Sequence, residues 1–145
     1  MKVSGEVVSD ATDIQRLVPN PDRDSADWWE ALARHEFVLQ RCDACEAWRW
    51  PPREICNRCG SFEYTWTPVS GRGTIASWVV NQRAFLPGFE IPYVVVNVRL
   101  DEQDDCKLIG SWRGSIDVLR GDLPVRAVFD DVTEGVTLIS WEPSE

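Results

Sequence analysis

The chain carries one histidine, His35, and no second imidazole to share acid–base work. Nucleophile arrangements of the serine–histidine or cysteine–histidine kind would all rest on that residue. It falls on a predicted helix and reads as a surface or helix-end histidine. No apolar run approaches the roughly 18 residues that a membrane span needs. Met1 to Asp10 lacks a basic stretch followed by an apolar one, so no secretory signal is expected and the expected setting is cytoplasmic. Basic residues are scarce: 15 Lys and Arg stand against 24 Asp and Glu, a net charge of −9. Nucleic-acid binders draw most of their affinity from neutralising phosphates, so the chain is a poor candidate for that class. A phosphate loop is missing as well, because Gly71-Arg72-Gly73 is not followed by a helix. No repeat and no low-complexity run is present.

What is present suits one domain with a core: 145 residues, 43% hydrophobic and 27% charged. Eight tryptophans are many for this size. The barrel described below has room for Trp78, Trp66 and Trp112 among its Val and Ile residues. Trp28 and Trp29 are adjacent on a helix, and Trp48 and Trp50 are two apart on a short hairpin, where they would share a face. Indoles fill cores, and they also concentrate at interfaces. The sharper of the two readings makes Trp28, Trp29, Trp48 and Trp50 a partner-binding surface, with the barrel loop from Phe85 to Phe89 as the alternative.

Residues 1–24 read as a tail ending in Pro19-Asn20-Pro21. Ser25 is an expected N-cap, with Asp27 and Glu30 in the first turn. Trp28, Trp29, Leu32, Ala33 and Phe37 fall at helical spacing, which predicts a short helix over 26–36 and a strand over 37–40. Residues 25–62 form the helix and cysteine-bearing unit, and 63–145 are strand after strand. Expected strands are 64–69, 74–80, 93–100, 107–112 and 125–129, with 137–141 as hairpin partner or continuation. In 93–100, Val94, Val96, Val98 and Leu100 alternate with Tyr93, Val95, Asn97 and Arg99. About five short antiparallel strands suit an OB-type barrel better than a sandwich.

Cys42-Asp43-Ala44-Cys45 and Cys56-Asn57-Arg58-Cys59 are two C-x2-C knuckles separated by ten residues, enough for one hairpin. Each presents a pair of sulfurs, and four thiolates suit a structural zinc with no coordination site left for catalysis. Two disulfides, a redox dithiol and a four-thiolate iron are the other readings; the expected cytosolic setting disfavours the first, and the last has the same geometry. One zinc with four thiolates leaves a charge of about −2. Arg41, Arg49, Arg53 and Arg58 can offset it; their alternative role is to face an anionic ligand. Cys106 lies beside Asp104 and Asp105, whose charges would raise its pKa and blunt it as a nucleophile. Asp130, Asp131 and Glu134 read as solvated carboxylates of a hairpin turn. No catalytic residue is assigned.

Trp28-Trp29-Glu30-Ala31-Leu32, Leu39-Gln40-Arg41-Cys42-Asp43-Ala44-Cys45, Trp50-Pro51-Pro52-Arg53, Cys56-Asn57-Arg58-Cys59-Gly60-Ser61 and Ser70-Gly71-Arg72-Gly73-Thr74 together resemble the zinc-ribbon/OB-fold proteins of acyl-CoA metabolism. Ile91-Pro92-Tyr93-Val94-Val95 and Pro124 to Phe129 are similar to that family's barrel strands. The resemblance spans about residues 25–142 and implies an N-terminal helix, a rubredoxin-like zinc ribbon and a C-terminal five-stranded OB-type barrel, mostly β. It implies a non-catalytic subunit beside a larger thiolase-superfamily enzyme, helping to form an acyl-CoA site shared by the complex. The reactions it implies are thiolysis, acyl transfer or retro-aldol cleavage of a CoA thioester. The stretch from Asp130 to Leu138 looks most like members found with lipid-transfer-protein-like thiolases and aldolases of steroid side chains. Glu46 stands where a glycine is common and Asn57 where a proline is common. A single-stranded nucleic-acid-binding OB protein and a stand-alone acyl-CoA-binding protein are the alternative functions.

Overall fold

The computed structural model describes residues 17–85 and 89–144. The first sixteen residues of the expected tail, and 86–88 of the loop between Phe85 and Phe89, lie outside the described residues.

The chain enters α1 (Ala26–Ala33) through a turn closed by Asp22. The Asp22 carboxylate accepts from the Ser25 N–H at 2.8 Å and the Ser25 hydroxyl at 2.7 Å, and the Ala26 N–H donates to the Asp22 carbonyl at 3.0 Å. Ser25 holds the N-cap position, but its hydroxyl makes no bond to the helix. The bonds from Ser25 hold the Asp22 carboxyl below its ordinary range. The helix predicted to reach residue 36 stops at Ala33. His35 takes a left-handed φ of 59°, and the N–H groups of His35 and Glu36 turn back to the carbonyls of Leu32 (2.8 Å) and Ala31 (2.9 Å). This is a Schellman closure made without glycine. The buried face is Trp28, Ala31 and Leu32, and Ala33 points to solvent.

β1 (Val38–Cys42), β2 (Trp48–Arg49) and β3 (Tyr64–Pro68) form an antiparallel sheet in the order β2-β1-β3. Tyr64–Pro68, expected to open the barrel, is therefore the third strand of the ribbon sheet, with Val38 opposite Pro68 and Cys42 opposite Tyr64. β4 (Arg72–Asn81), β5 (Tyr93–Leu100), β6 (Lys107–Trp112), β7 (Pro124–Thr133) and β8 (Val136–Pro143) close a barrel in the order β4-β5-β6-β8-β7. The expected number of strands holds while its membership shifts by one. Closure comes from a parallel pairing, Ser111 with Ser140 and Trp112 with Trp141, in place of an all-antiparallel set.

One core joins these parts: Trp28 and Leu32 of α1, Leu39 of β1, and Ile75, Val96, Val98, Leu108, Val125, Ile139 and Trp141 of the barrel. The alternation in β5 is as expected, with Val94, Val96, Val98 and Leu100 buried. The barrel's buried indole is Trp141, not Trp78, which is 39% exposed. β4 pairs with β7 only from Arg72 to Thr74 and then bulges between Ile75 and Ser77, so Trp78 lies beyond the closed wall. Trp141 fits because residue 110 has no side chain. A Cβ there would meet the Ile139 carbonyl oxygen at 2.6 Å and the indole Cδ1 at 2.8 Å.

Gly110→Ala should therefore overpack the core and cost about 1–3 kcal/mol in urea unfolding of the zinc-loaded protein. Gly121→Ala, where a Cβ meets nothing within 4 Å, is the control and should shift stability by less than about 0.5 kcal/mol. Equal midpoints for the two variants would contradict this seating of Trp141.

Candidate metal centre and surrounding surface

Two copies of one turn bring the cysteines together. The Cys42 carbonyl accepts from the Glu46 N–H at 2.9 Å, and the Cys56 carbonyl accepts from the Gly60 N–H at 2.9 Å. Each turn closes at a left-handed residue: φ is 76° at Gly60 and 64° at Glu46. Glycine takes that conformation freely, whereas glutamate is strained in it by about 1 kcal/mol. The two knuckles face each other so that the Sγ atoms of Cys42, Cys45, Cys56 and Cys59 all lie within 4.8 Å. Cys42 and Cys59 are 3.6 Å apart, as are Cys45 and Cys56. Zinc–sulfur bonds of about 2.3 Å in a tetrahedron require sulfurs about 3.8 Å apart, so the donor set fits one zinc ion. All five cysteines are free thiols, which removes the disulfide reading.

The knuckle backbone prepares the sulfurs for a cation. N–H groups of Cys45 and Ala44 lower the Cys42 thiol, and those of Cys59 and Arg58 lower Cys56 to about 6. Cys59 moves the other way: despite a lowering bond from Ser61, burial and the three neighbouring sulfurs push it up to about 12. Four thiolates repel one another until a divalent ion sits among them. The arginines expected to offset this charge diverge in role. Arg58 pairs with Asp105 at 2.9 Å, and Arg41 lies 5.1 Å over the Trp48 ring while donating to the Glu46 carbonyl. Arg53 reaches the Pro51 carbonyl at 3.4 Å, and Arg49 is buried.

His35 and Asp131 form a second polar cluster. His35 Nε2 lies 2.9 Å from Asp131, and its ring stacks on Phe129 at 4.8 Å. Asp131 also accepts from the Thr137 hydroxyl at 2.6 Å; that bond and the one from His35 hold its carboxyl low. Asp130 pairs with Arg113 at 2.7 Å and accepts from Ser140 at 3.2 Å. Of the three carboxylates expected to be solvated in a hairpin turn, Glu134 is exposed in the turn and Asp131 is exposed, whereas Asp130 is half-buried. Asp130 and Asp131 lie within β7 and tie it to the β6 exit, to β8 and to the end of α1. Cys106 is buried, and its thiol is pushed up to about 11 by burial and by Asp105 and Glu102.

The four tryptophans expected to face a partner are only partly available. Trp28 is 4% exposed and packs 4.6 Å from both Trp29 and Trp50. Trp50 does not share a strand face with Trp48, because β2 ends at Arg49 and the Trp50 ring packs on Trp28 of α1. Trp48 is gripped by the barrel: the Gln103 side chain accepts from its N–H at 2.9 Å and donates to its carbonyl at 3.0 Å. Trp29 and Trp50 are half-buried and line a groove of about 540 Å³, whose barrel wall includes Val95, Leu108, Ile109 and Ile139. The groove continues onto the outer barrel face, where Val79 is opposite Val95 in the register; Val79 and Ile109 are 57% and 64% exposed. This outer strip left no signal in the cysteine and tryptophan pattern; the alternation in β5 placed Val95 outward but did not mark what lies beside it.

A ribbon holding four thiolates, joined to a closed five-stranded barrel, defines a zinc-ribbon/OB-fold protein. Residues 29–65 match the family model of the ChsH2 rubredoxin-like zinc ribbon domain, and residues 66–130 match that of the ChsH2 C-terminal OB-fold domain. The fold superposes with a TM-score of 0.81 on a chain of an Ltp2-ChsH2(DUF35) aldolase, at 33% identity over 88% of this chain and 100% of that one. The chain belongs to this ChsH2 (DUF35) family. It is 34% identical over 129 residues to the 3-oxo-4,17-pregnadiene-20-carboxyl-CoA hydratase alpha subunit of Mycobacterium tuberculosis, covering 88% of this chain and 40% of that protein. It is 42% identical over 88 residues to a probable enoyl-CoA hydratase alpha subunit of Thermomonospora curvata, covering 59% and 28%. The chain thus spans less than half the length of these two relatives. A DUF35 protein of Sulfolobus solfataricus shares the fold alone, with a TM-score of 0.61 at 10% identity over 84% of this chain and 86% of that one. Among the described residues no helix is long and apolar enough to cross a membrane.

Elemental analysis of freshly purified protein should give one zinc per chain. Cys56→Ser should bring it to none, since structural zinc contributes about 10 kcal/mol to the folding of such sites. Wild-type protein holding neither zinc nor iron would contradict the assignment.

Proposed function

We propose that the chain is a non-catalytic subunit of a thiolase-superfamily enzyme acting on acyl-CoA thioesters, in which it helps to assemble the complex and to form the acyl-CoA site. Retro-aldol cleavage of a carbon–carbon bond is the reaction we favour, with a steroid-type side-chain thioester as the substrate class. The likeness to a chain of an Ltp2-ChsH2 aldolase supports the reaction, and the relative named for a pregnadiene carboxyl-CoA supports the substrate class. The observation that carries the subunit reading is the apolar surface formed by Trp29, Trp50, Val95, Ile109 and Val79. Contiguous exposed apolar area of this kind marks an interaction site. The residue chemistry supports a non-catalytic role. His35 is held by Asp131 and Phe129, and Cys106 is a buried, high-pKa thiol. With a net charge of −9, single-stranded nucleic acid is the less favoured ligand.

In this proposal Trp28 supports the docking face from beneath, Trp29 and Trp50 contact the larger subunit directly, and Trp48 fixes the ribbon's angle. Trp50→Ala or Trp29→Ala should weaken binding to a co-expressed Ltp2-type aldolase by about thirtyfold, the effect of losing an interface tryptophan worth about 2 kcal/mol. Zinc content should stay at one per chain, and the purified chain alone should show no turnover. Unchanged affinity in Trp29→Ala, Trp50→Ala and Ile109→Asp would move the interface to the apolar hairpin end at Phe85 and Ile91, which are 69% and 52% exposed. Turnover by the isolated chain would overturn the non-catalytic reading itself.

A further inference from the structure

A strand at the side of a sheet exposes a row of backbone N–H and C=O groups that can pair with another chain, and native proteins block such edges. Among the described residues the edges are blocked in different ways. On β2 the Gln103 side chain takes both backbone groups of Trp48. The outer edge of β3 ends in Pro68, which has no N–H. Past Ala127, β7 carries the charged Asp130 and Asp131, and His35 reaches across to Asp131. The gap between β6 and β8 faces α1 across the Trp29–Trp50 groove. β4 differs. It pairs with β7 from Arg72 to Thr74, and Ile75 bonds Leu123 and Asp122. Beyond the bulge between Ile75 and Ser77, its only paired strand is β5.

The alternation of hydrogen bonds shows which groups are free. The Asp101 N–H donates to the Arg72 carbonyl, and the Leu100 N–H donates to the Cys106 carbonyl. Odd-numbered residues of β5 therefore bond β4, and even-numbered ones bond β6. Asn97, Val95 and Tyr93 lie opposite Ser77, Val79 and Asn81, so those three residues of β4 bond β5. Trp78 and Val80 turn their N–H and C=O groups outward. No charge and no proline stands between residues 73 and 82 to protect them. Trp78 is 39% exposed and Val79 57%.

We propose that this edge receives an extended segment of the larger subunit, which adds a strand to β4 by pairing with the outward groups of Trp78 and Val80. A strand there lays a side chain against Trp78, which the closed wall leaves uncovered. It also continues the outer apolar face of Val79, Val95 and Ile109. The segment that fits has at least three extended residues, no proline among those facing β4, and an apolar side chain beside Trp78. This occupant rests on the subunit reading proposed above, because the face adjoining the edge is the one assigned there to the larger subunit. A second copy of the chain, paired along residues 77–81 alone, would bury far less than the roughly 1,200 Å² of a stable interface.

The test uses the zinc-loaded full chain, free and in complex with a co-expressed Ltp2-type aldolase. With hydrogen exchange read at single amides, Trp78 and Val80 should exchange fast in the free chain and at least about a hundredfold slower in the complex. Ser77, Val79 and Asn81, already bonded to β5, should be protected in both. Proline and alanine at one position separate backbone from side chain. Val80→Pro and Val80→Ala both shorten the side chain, but only proline removes the outward N–H, and neither touches the bonds to β5. Val80→Pro should bind the aldolase at least about tenfold more weakly than Val80→Ala, and Trp78→Pro more weakly than Trp78→Ala, at one zinc per chain throughout. Should the proline variants fail to fold, the exchange of the wild-type amides decides alone. A complex in which Trp78 and Val80 exchange as in the free chain would overturn the added strand and leave the subunit reading standing. Failure of the wild-type chain to form any complex would overturn both. A dimer of the free chain that protects these two amides would make a second copy the occupant and overturn the assignment to the larger subunit.

Discussion

The tetrahedral gathering of four thiolates is the constraint on which the rest depends. The ribbon sheet is built from strands of five, two and five residues, and the cluster it buries around the metal site is only Cys42, Ala47 and Cys56. So small a sheet cannot offset its own conformational entropy by burying apolar surface. A metal centre substitutes for the absent core. Once the knuckles are fixed, β1 is fixed, and β1 carries Leu39 into the barrel core and leads back to the Schellman turn that ends α1.

The second attachment is a single turn between β5 and β6. Gln103 pairs with both backbone groups of Trp48, as a neighbouring strand would. Glu102 accepts from the Ser70 N–H at 2.7 Å, and Asp105 holds Arg58 of the second knuckle. Three side chains within four positions therefore bind the ribbon at two points and its connection to β4 at a third. The exposed Arg58–Asp105 pair contributes little by itself. The Gln103 bonds are half-buried, and their loss would leave the backbone of β2 without a partner on that edge. Ribbon and barrel consequently behave as one body, and the Trp29–Trp50 face lies across their seam.

How far the sequence revealed this depends on the range of the interaction involved. The metal ligands were legible because a C-x2-C turn is a local object, and the second knuckle's Gly60 marked its own left-handed closure. The two-residue period of β5 was legible because both of its faces obey it. The end of α1 was not, since a histidine at φ 59° closes it and histidine carries no such signal. β3 was assigned to the barrel because strand pattern does not name a partner; only the pairing of Cys42 with Tyr64 does. Trp78 and Trp141 exchanged roles for a long-range reason, the close approach of Gly110 to the β8 indole. Asp130 and Asp131 were invisible as anchors because Arg113 and His35 reach them from 17 and 96 residues away. The burial of the tryptophans was half legible: Trp29 and Trp50 line an open groove, whereas Trp28 is buried and Trp48 is fixed by Gln103.

Hydrogen exchange of the zinc-loaded and zinc-stripped chain tests most directly the claim that one metal centre holds the ribbon, α1 and the Trp29–Trp50 groove in place. The account predicts that chelation speeds exchange in the knuckles and also throughout β1, β3 and α1, while Val96 and Val98 in the middle of β5 stay protected. Loss of protection confined to Cys42–Cys45 and Cys56–Cys59, with α1 unchanged, would contradict it.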